Sequence, residues 1–252
     1  MRAGRLSRFH LWTAAAVVAC AFVTWPALVT VIGLYMLGVA AGVTWPKLQF
    51  FMPVICRGPT GRNALALTFD DGPDPSVTPA LLALLRRANV KATFFCVGER
   101  VQRHADVARQ IVTDGHLLGN HGFSHSYRTN LFSTARLRDE LRQCQETLAK
   151  VAGAPPRFFR PPMGLTNPRV ARVARELGLT AVGWSAGGKD QRARSADEIL
   201  ARVRRGLRPG AIILLHDAGV DSAVWLAAIE QLLAELPQKG FETCRLDELL
   251  SR

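Results

Sequence analysis

Hydrophobic and polar residues follow two different patterns along this chain. From Leu11 to Pro46 there is no Asp, Glu, Lys or Arg, whereas after residue 63 short apolar runs alternate with amphipathic stretches. One helical membrane crossing needs about 20 apolar residues, so the first pattern predicts a transmembrane anchor over residues 1–46. The second predicts a globular domain over residues 63–252, with residues 47–62 as a linker.

Two topologies of the anchor are compatible with the sequence. The apolar run is longer than the core of a signal peptide, so we expect it to be retained. Trp25-Pro26 interrupts the run and Trp45-Pro46 ends it, and these residue types favour the membrane interface and break helices. The anchor is therefore either one long crossing or a hairpin of two short helices, over about residues 11–24 and 27–44.

The choice between these topologies decides where the domain lies. Arg2, Arg5 and Arg8 favour a cytoplasmic N-terminus, in what we expect to be the bacterial inner (cytoplasmic) membrane. A single crossing then places the domain outside, and a hairpin places it inside. The Trp25-Pro26 break and the length of the apolar run favour the hairpin. The sequence alone is nevertheless compatible with a domain on either side of the membrane.

The apolar runs of the globular part predict buried strands that alternate with helices. Seven such strands are expected, at residues 64–69, 92–97, 116–118, 157–160, 181–185, 211–215 and 241–245. Continuous apolar strands alternating with helices are typical of a parallel sheet covered by helices. Seven strand–helix units fit a closed or slightly open (β/α) barrel better than a two-layer sheet.

Charge and cysteine content exclude some classes of partner. The chain has 32 Lys and Arg against 20 Asp and Glu, but the arginines are dispersed and lack interleaved aromatic residues, so no nucleic-acid partner is expected. A solvated basic surface, or attraction to anionic membrane lipid, explains this charge. The five cysteines have no CxxC or zinc-like spacing and predict no disulfide framework.

Side chains suited to catalysis follow five of the predicted strands. Barrels of this kind carry their chemistry where strands end and loops begin. The residues at these strand ends are Asp70, Asp71, His121, His125, Arg160, Trp184, Asp190 and His216. Each alone has a structural explanation, such as a turn or a packed core histidine. Their joint occurrence predicts one catalytic rim.

Two histidines and one carboxylate in this set are typical of a catalytic metal site. His121 and His125 are four residues apart, so one helical turn would place both imidazoles on one face. Two His ligands plus one carboxylate leave coordination positions open for water and substrate. The pair Asp70-Asp71 can divide its roles between ligand and base, and a metal ion together with Arg160 would supply the cations that let both ionise.

Four motifs resemble those of the polysaccharide deacetylase family, also called the NodB-homology domain or carbohydrate esterase family four. They are TFDDGP at 68–73, NHGFSH at 120–125, FRPP at 159–162 and LLHD at 214–217, in the family's order and spacing across about residues 63–247. The resemblance implies an α/β fold, a distorted seven-unit (β/α) barrel, here preceded by an N-terminal transmembrane anchor. It also implies a hydrolase of carbon–nitrogen bonds that needs a divalent metal, usually zinc, with cobalt, nickel and iron left open.

The resemblance implies roles for the metal-binding half of the site. Asp71, His121 and His125 would hold the metal ion. Asp70 would be the general base that deprotonates the attacking water. Arg160 would orient Asp70 through a charge-assisted hydrogen bond.

The resemblance also implies roles for the opposite half. His216 would be the general acid that protonates the departing amine, and Asp190 would orient His216 and raise its pKa. Trp184 and Leu214 would line the acetyl pocket. The backbone N–H of Met163 would hold the oxyanion.

Two departures from the family pattern bear on the substrate. Met163 stands where the family usually has Tyr, and Gln191 stands where it often has Trp, so one wall of the sugar groove is less aromatic. Both departures weaken the case for a long polysaccharide substrate. Together with the predicted anchor, the resemblance implies removal of N-acetyl groups from amino sugars of a membrane-proximal glycan or glycolipid. The alternatives are a deformylase or O-acetyl esterase acting on a lipid-linked sugar, and a catalytically silent glycan-binding module.

Overall fold

The computed structural model describes residues 4–21 and 25–251. Two N-terminal helices, α1 (Gly4–Ala21) and α2 (Trp25–Thr44), pack against each other. Tyr35 Oη lies 3.1 Å from His10 Nδ1 across their contact. Of the helices in the described ranges, α2 alone is long and apolar enough to cross a membrane, and the domain buries little of it. Length and composition alone do not distinguish an anchor from a signal sequence.

The C-terminal end of α2 is bound to the globular domain. The Thr166 backbone N–H donates to Val43 O at 3.1 Å, and the Thr166 hydroxyl donates to Gly42 O at 3.3 Å. Carbonyl groups in the last turn of a helix have no partner within the helix, so Thr166 satisfies two of them. The ring of Phe50 then packs against Gly42, where an added Cβ would collide with it.

Residues 47–62, which we expected to form a linker, are partly built into the domain. Met52 and Val54 are buried in a core cluster with Phe159. Ile55 forms a parallel bridge with Val182, and its backbone N–H donates to Ala181 O at 3.0 Å. This stretch therefore acts as part of the sheet rather than as a free tether.

One curled sheet of eight strands forms the domain. The strands are β1 (Ala64–Asp70), β2 (Thr93–Cys96), β3 (Leu117–Asn120), β4 (Phe158–Phe159), β5 (Thr180–Ala181), β6 (Ala186–Gly187), β7 (Ile212–His216) and β8 (Glu242–Thr243). The order is β5-β4-β3-β2-β1-β7-β6, β8 pairs with the start of β1, and all pairs are parallel. Every residue of β1 is buried, so this strand forms the centre of the fold.

Eight helices of the domain follow the strands. They are α3 (Thr78–Arg87), α4 (Gly98–Arg103), α5 (Ala105–Thr113), α6 (Thr134–Ala152), α7 (Pro168–Glu176), α8 (Ala196–Arg204), α9 (Ser222–Gln238) and α10 (Leu246–Leu250). The side chains of Ser133, Asn167, Ser195 and Asp221 accept backbone N–H groups at the starts of α6, α7, α8 and α9. Such caps satisfy donors that have no partner within the helix.

The predicted α/β fold with a parallel sheet is confirmed, as a curled half-barrel. The expected seven repeated units are not what forms, because the predicted strand at 181–185 is interrupted. The chain leaves β5 after Ala181 and, after four intervening residues, rejoins the sheet as β6 at the other end of the strand order. Between them, the carbonyl groups of Val182 and Gly183 accept hydrogen bonds from the Arg160 side chain.

Candidate metal and active site

The strand ends bring the predicted site residues together at one edge of the sheet. In the register of the central strands, Asp70 is paired with His216 of β7 and with Phe95 of β2. Asn120 at the end of β3 is paired with Phe159 of β4. His121 and Arg160 therefore start from neighbouring strand ends, on the same edge as Asp70 and His216.

Three side chains converge as candidate metal ligands. Asp71 Oδ1 lies 3.3 Å from His121 Nε2 and 3.2 Å from His125 Nε2. The three candidate ligand atoms all lie within 4.8 Å of one another. One carboxylate oxygen and two imidazole nitrogens form a donor set that suits zinc and leaves positions open for water and substrate. The residues therefore fit a divalent metal ion.

The helical turn expected for His121 and His125 is wrong. Residues 121–125 form an irregular loop in which Gly122 has φ 82° and His125 has φ 49°. These left-handed residues turn the chain so that the two rings lie 4.8 Å apart. Asp71 also has a positive φ, 73°. Non-glycine residues held in this region are concentrated at functional sites.

The charges within the cluster keep Asp71 ionised. Burial opposes ionisation of Asp71, but the hydrogen bond and charge of His121 and the charge of His125 hold its pKa well below the usual range. Burial would lower the pKa of His121, yet the Asp70 and Asp71 carboxylates raise it, whereas burial and the charge of His121 lower the pKa of His125. Asp71 is thus an ionised candidate ligand.

His121 is oriented by a backbone carbonyl. Its Nδ1 lies 2.8 Å from Arg160 O, and its side chain is almost fully buried. With Nδ1 engaged by that carbonyl, Nε2 faces Asp71 and is the nitrogen available to a metal ion. A metal-binding histidine is commonly fixed in this way by a second hydrogen bond.

Asp70 and Arg160 form a buried ion pair beside the cluster. Arg160 Nη1 donates to Asp70 Oδ1 at 2.7 Å and to Thr68 Oγ1 at 2.8 Å. Arg160 Nη2 donates to Gly183 O at 2.9 Å, and the guanidinium lies 4.2 Å from the centre of the Phe95 ring. Arg160 is fully buried, so these contacts fix both its position and that of one Asp70 oxygen.

The second oxygen of Asp70 faces the cluster. Asp70 Oδ2 lies 3.7 Å from His121 Nε2, beyond hydrogen-bond distance, while Oδ1 is held by Arg160. One carboxylate oxygen is thus anchored and the other lies beside the candidate metal ligands. This arrangement can take a proton from a molecule bound next to His121.

His216 is held by a buried carboxylate. His216 Nδ1 lies 2.8 Å from Asp190 Oδ1, and the His216 backbone N–H donates to Asp190 Oδ2 at 2.7 Å. The indole Nε1–H of Trp225 donates to the same Oδ2 at 2.8 Å. Burial alone would lower the pKa of His216, but the hydrogen bond and charge of Asp190, with the charges of Asp70 and Asp71, raise it to about 9.

The three predicted substrate-contacting residues occupy different parts of the rim. Met163 has a left-handed backbone, φ 57°, and its side chain is 39% exposed. The adjacent Gly164 packs against the ring of Trp184, which lies 5.9 Å from the Arg160 guanidinium. Leu214 lies in β7 beside Thr68. Their contacts with a substrate stay predictions.

Sequence reasoning missed several residues that support the site. Thr68 holds Arg160, Trp225 holds Asp190, and Asn120 Oδ1 accepts the Gly122 N–H at 2.8 Å, which shapes the histidine loop. Gln191 was noted only as a departure from an aromatic residue. Its Nε2 donates to Asp71 Oδ2 at 2.7 Å, so it steadies the carboxylate that the histidines approach.

Asp217, also missed, is buried behind the Asp70-Asp71 turn. Its Oδ2 accepts a hydrogen bond from Thr78 Oγ1 at 2.6 Å, and no described atom is a partner for its Oδ1. A side chain at Gly72 would collide with the Asp217 carboxyl group. Burial, with the nearby charge of Asp71, raises the pKa of Asp217 to about 7. In the sequence, Asp217 is the last residue of the LLHD motif, where it was given no role.

Comparison with known proteins extends these observations. The family model "Polysaccharide deacetylase" matches residues 57–182. A peptidoglycan-N-acetylglucosamine deacetylase of Bacillus cereus is 37% identical over 194 residues, which cover 76% of this chain and 90% of that protein. A chitooligosaccharide deacetylase of Azorhizobium caulinodans is 34% identical over 194 residues, which cover 71% and 91%.

A solved structure agrees with the fold. The crystal structure of the Bc1960 peptidoglycan N-acetylglucosamine deacetylase matches with a TM-score of 0.75 at 32% sequence identity. The match covers 79% of this chain and 92% of that one. The shared part is therefore nearly the whole of the solved chain.

Proposed function

Because this chain belongs to the polysaccharide deacetylase family, we propose that it removes N-acetyl groups from amino sugars of a membrane-proximal glycan. The protein is a hydrolase of carbon–nitrogen bonds other than peptide bonds. The observation that carries the proposal is that Asp71, His121 and His125 converge at one edge of the sheet, beside the Asp70–Arg160 ion pair. N-acetylglucosamine is the acetylated sugar in the name of the Bacillus cereus relative.

Asp71, His121 and His125 would hold a divalent ion, for which zinc suits the donor set best and cobalt, nickel and iron are compatible. When bound, the ion supplies a Lewis acid that polarises the acetyl carbonyl and makes water more acidic. The chain keeps Asp71 ionised and holds His121 with Nε2 towards it.

Asp70 would act as the general base. Its Oδ2 takes the proton of the attacking water, while Arg160 holds Oδ1 at 2.7 Å and so fixes the direction of the free oxygen. The backbone N–H of Met163 would donate to the oxygen that becomes negative as water attacks.

His216 would act as the general acid. Asp190 accepts from Nδ1, so Nε2 is the nitrogen that can pass a proton to the leaving amine. An amine is a poor leaving group unless it is protonated as the bond breaks. A pKa of about 9 keeps this imidazole protonated at neutral pH. Trp184 and Leu214 would border the acetyl group.

The pH dependence tests the role of His216. We expect kcat/KM to fall as the pH rises through the pKa of His216, because only the protonated imidazole can donate. In Asp190→Asn the carboxylate that raises this pKa is gone, so the alkaline limb of the pH–rate profile should move to lower pH. Asp221→Asn, which alters an exposed helix cap, is the control. An alkaline limb at the same pH in Asp190→Asn and wild type would exclude His216 as the acid.

The reaction itself is tested by mass spectrometry of the product. The full chain, loaded with zinc, is incubated with chito-oligosaccharides and with membrane and cell-wall glycans. We expect each modified sugar to lose the mass of one acetyl group and to gain a free amine. Loss of a formyl group, or release of acetate without a new amine, would replace the proposed reaction by deformylation or ester hydrolysis. No change in any glycan would favour a silent binding module.

We also propose that α2 anchors the protein in a membrane. Support comes from its 20 residues with a mean hydropathy of 2.0 over its apolar window, of which only 6% is buried. Whether α1 crosses with it decides on which side the domain lies. A reporter fused to the C-terminus can determine this side, whereas Arg57, which donates to Pro209 O at 2.9 Å, is part of the fold and unsuitable for a fusion.

A further inference from the structure

A basic cavity is lined by residues to which the proposed deacetylation assigns no role. It has a volume of about 310 Å³, lies between β6 and the C-terminal end of α8, and includes Ser185 in its lining. Four cationic side chains contribute to its wall, namely Lys189, Arg202, Arg205 and Arg208. None of the roles proposed for the hydrolysis uses them.

The charge of this cavity is largely uncompensated. Arg202 lies 3.4 Å from Glu198. Within residues 4–21 and 25–251, no carboxylate oxygen lies within 4.0 Å of the charged groups of Lys189, Arg205 or Arg208. Asp190, the neighbour of Lys189, is engaged by His216 and Trp225. Like charges held close together raise the free energy of the protein unless an anion lies between them.

The backbone holds the cavity in a defined shape. Arg202 Nη1 donates to Gly188 O at 3.1 Å and to Lys189 O at 3.4 Å, which fixes the loop after β6. Lys189 has a left-handed backbone, φ 47°. Gly206 lies so close to Ala186 that any side chain there would collide with it. The wall is therefore a built feature, and not only a group of flexible surface side chains.

The cavity lies beside the end of α2. Lys47, three residues after the last residue of that helix, donates from Nζ to Ser185 O at 3.2 Å. Ser185 lines the cavity, so a fifth cation stands at its border. If α2 crosses a membrane, its C-terminal end lies at the level of the lipid head groups, where anionic phosphates are concentrated.

We propose that this cavity binds a phosphate group, which an anionic lipid head group or free phosphate can supply. Guanidinium groups present paired donors whose geometry matches phosphate oxygens, and three arginines line this wall. The position of Lys47 favours the lipid head group as the source. The cavity does not depend on the proposed deacetylation, and it rests on the proposed anchor only for that source.

Lipid titration of the full chain tests this site. The protein is held in neutral detergent micelles and titrated with phosphatidylglycerol, with phosphatidylcholine and, in a separate arm, with inorganic phosphate alone. We expect wild type to bind phosphatidylglycerol at least about tenfold more tightly than phosphatidylcholine, and Arg205→Gln/Arg208→Gln to lose that preference. All arms use one ionic strength, because salt screens surface charges.

A matched variant separates a defined site from general charge. Arg109→Gln/Arg175→Gln removes two exposed arginines from α5 and α7 and so makes the same change in net charge. We expect it to retain the preference. Equal losses in the two double variants, or a wild type that binds neither the anionic lipid nor phosphate, would overturn the proposal. Binding of inorganic phosphate that depends on Arg205 and Arg208, without a lipid preference, would support the site with free phosphate as its source.

Hydrolysis of a soluble chito-oligosaccharide is measured on the same wild-type preparation. A chain that binds phosphate through Arg205 and Arg208 but hydrolyses nothing would refute the proposed reaction and leave this site standing. A chain that hydrolyses the substrate but binds no phosphate would refute this site and leave the proposed reaction standing.

Discussion

Replacing His121 or His125 with alanine is expected to abolish tight binding of a divalent ion, and N-deacetylation with it. Each variant removes one of three side chains whose donor atoms converge within 4.8 Å. Mutation of the groups that merely support a ligand already costs about 10–100-fold in metal affinity, so loss of a ligand should cost more. Metal content after dialysis, measured by elemental mass spectrometry on the full chain, is the direct readout.

His104→Ala is the control for this experiment. His104 lies between α4 and α5, so its loss should leave the metal content unchanged. His121 also donates to Arg160 O, and therefore circular dichroism must show that the alanine variant is folded. A folded His121→Ala or His125→Ala chain that purifies with a full complement of metal would show that the assigned ligands are incorrect.

Asp70→Asn should keep the metal ion and lose most of the rate. The substitution leaves the three candidate ligands in place and removes only the group that accepts the proton, which is worth about 10²–10⁴-fold in kcat. Asparagine retains an oxygen that can accept from Arg160, so the buried guanidinium keeps a partner. Steady-state kinetics and metal content are measured together, with the thermal unfolding midpoint as a check on the ion pair.

Asp74→Asn provides the matched substitution for Asp70→Asn. Asp74 belongs to the same loop but accepts from Ser76 and pairs with Arg100 at 3.6 Å, away from the metal cluster. We expect its kcat to stay close to that of wild type. Near-normal turnover by Asp70→Asn would rule out Asp70 as the base, and metal loss in that variant would make it a ligand instead.

Which residues meet at the candidate site could be predicted because their positions along the chain indicate it. Asp70, His121, Arg160 and His216 lie at or directly after the ends of apolar runs, and parallel strands bring their carboxyl ends to the same edge. Asp70 and His216 are partners in the register of adjacent strands, which is what this rule requires. The spacing of His121 and His125 could not settle their geometry, because a helical turn and a loop with left-handed residues both bring such positions together.

Long-range contacts explain most of what the sequence could not predict. Where the strand expected at 181–185 is interrupted, two of its carbonyl groups accept hydrogen bonds from the buried Arg160, and an apolar pattern does not record such a partner. Trp225 has the periodicity of a core residue in α9 and is buried as one. Only its indole N–H, which reaches Asp190, distinguishes its role.

The contact between Thr166 and the end of α2 limits how far the candidate site can move relative to that helix. A flexible linker of the length first expected would let the domain sweep a radius of about 20 Å. Here Ile55 is paired with Val182, and Thr166 is hydrogen-bonded to Gly42 and Val43, so these contacts hold the domain against the end of α2. With α2 in a bilayer, the enzyme would work at one fixed height, and lateral diffusion of the whole molecule would set which sugars it meets.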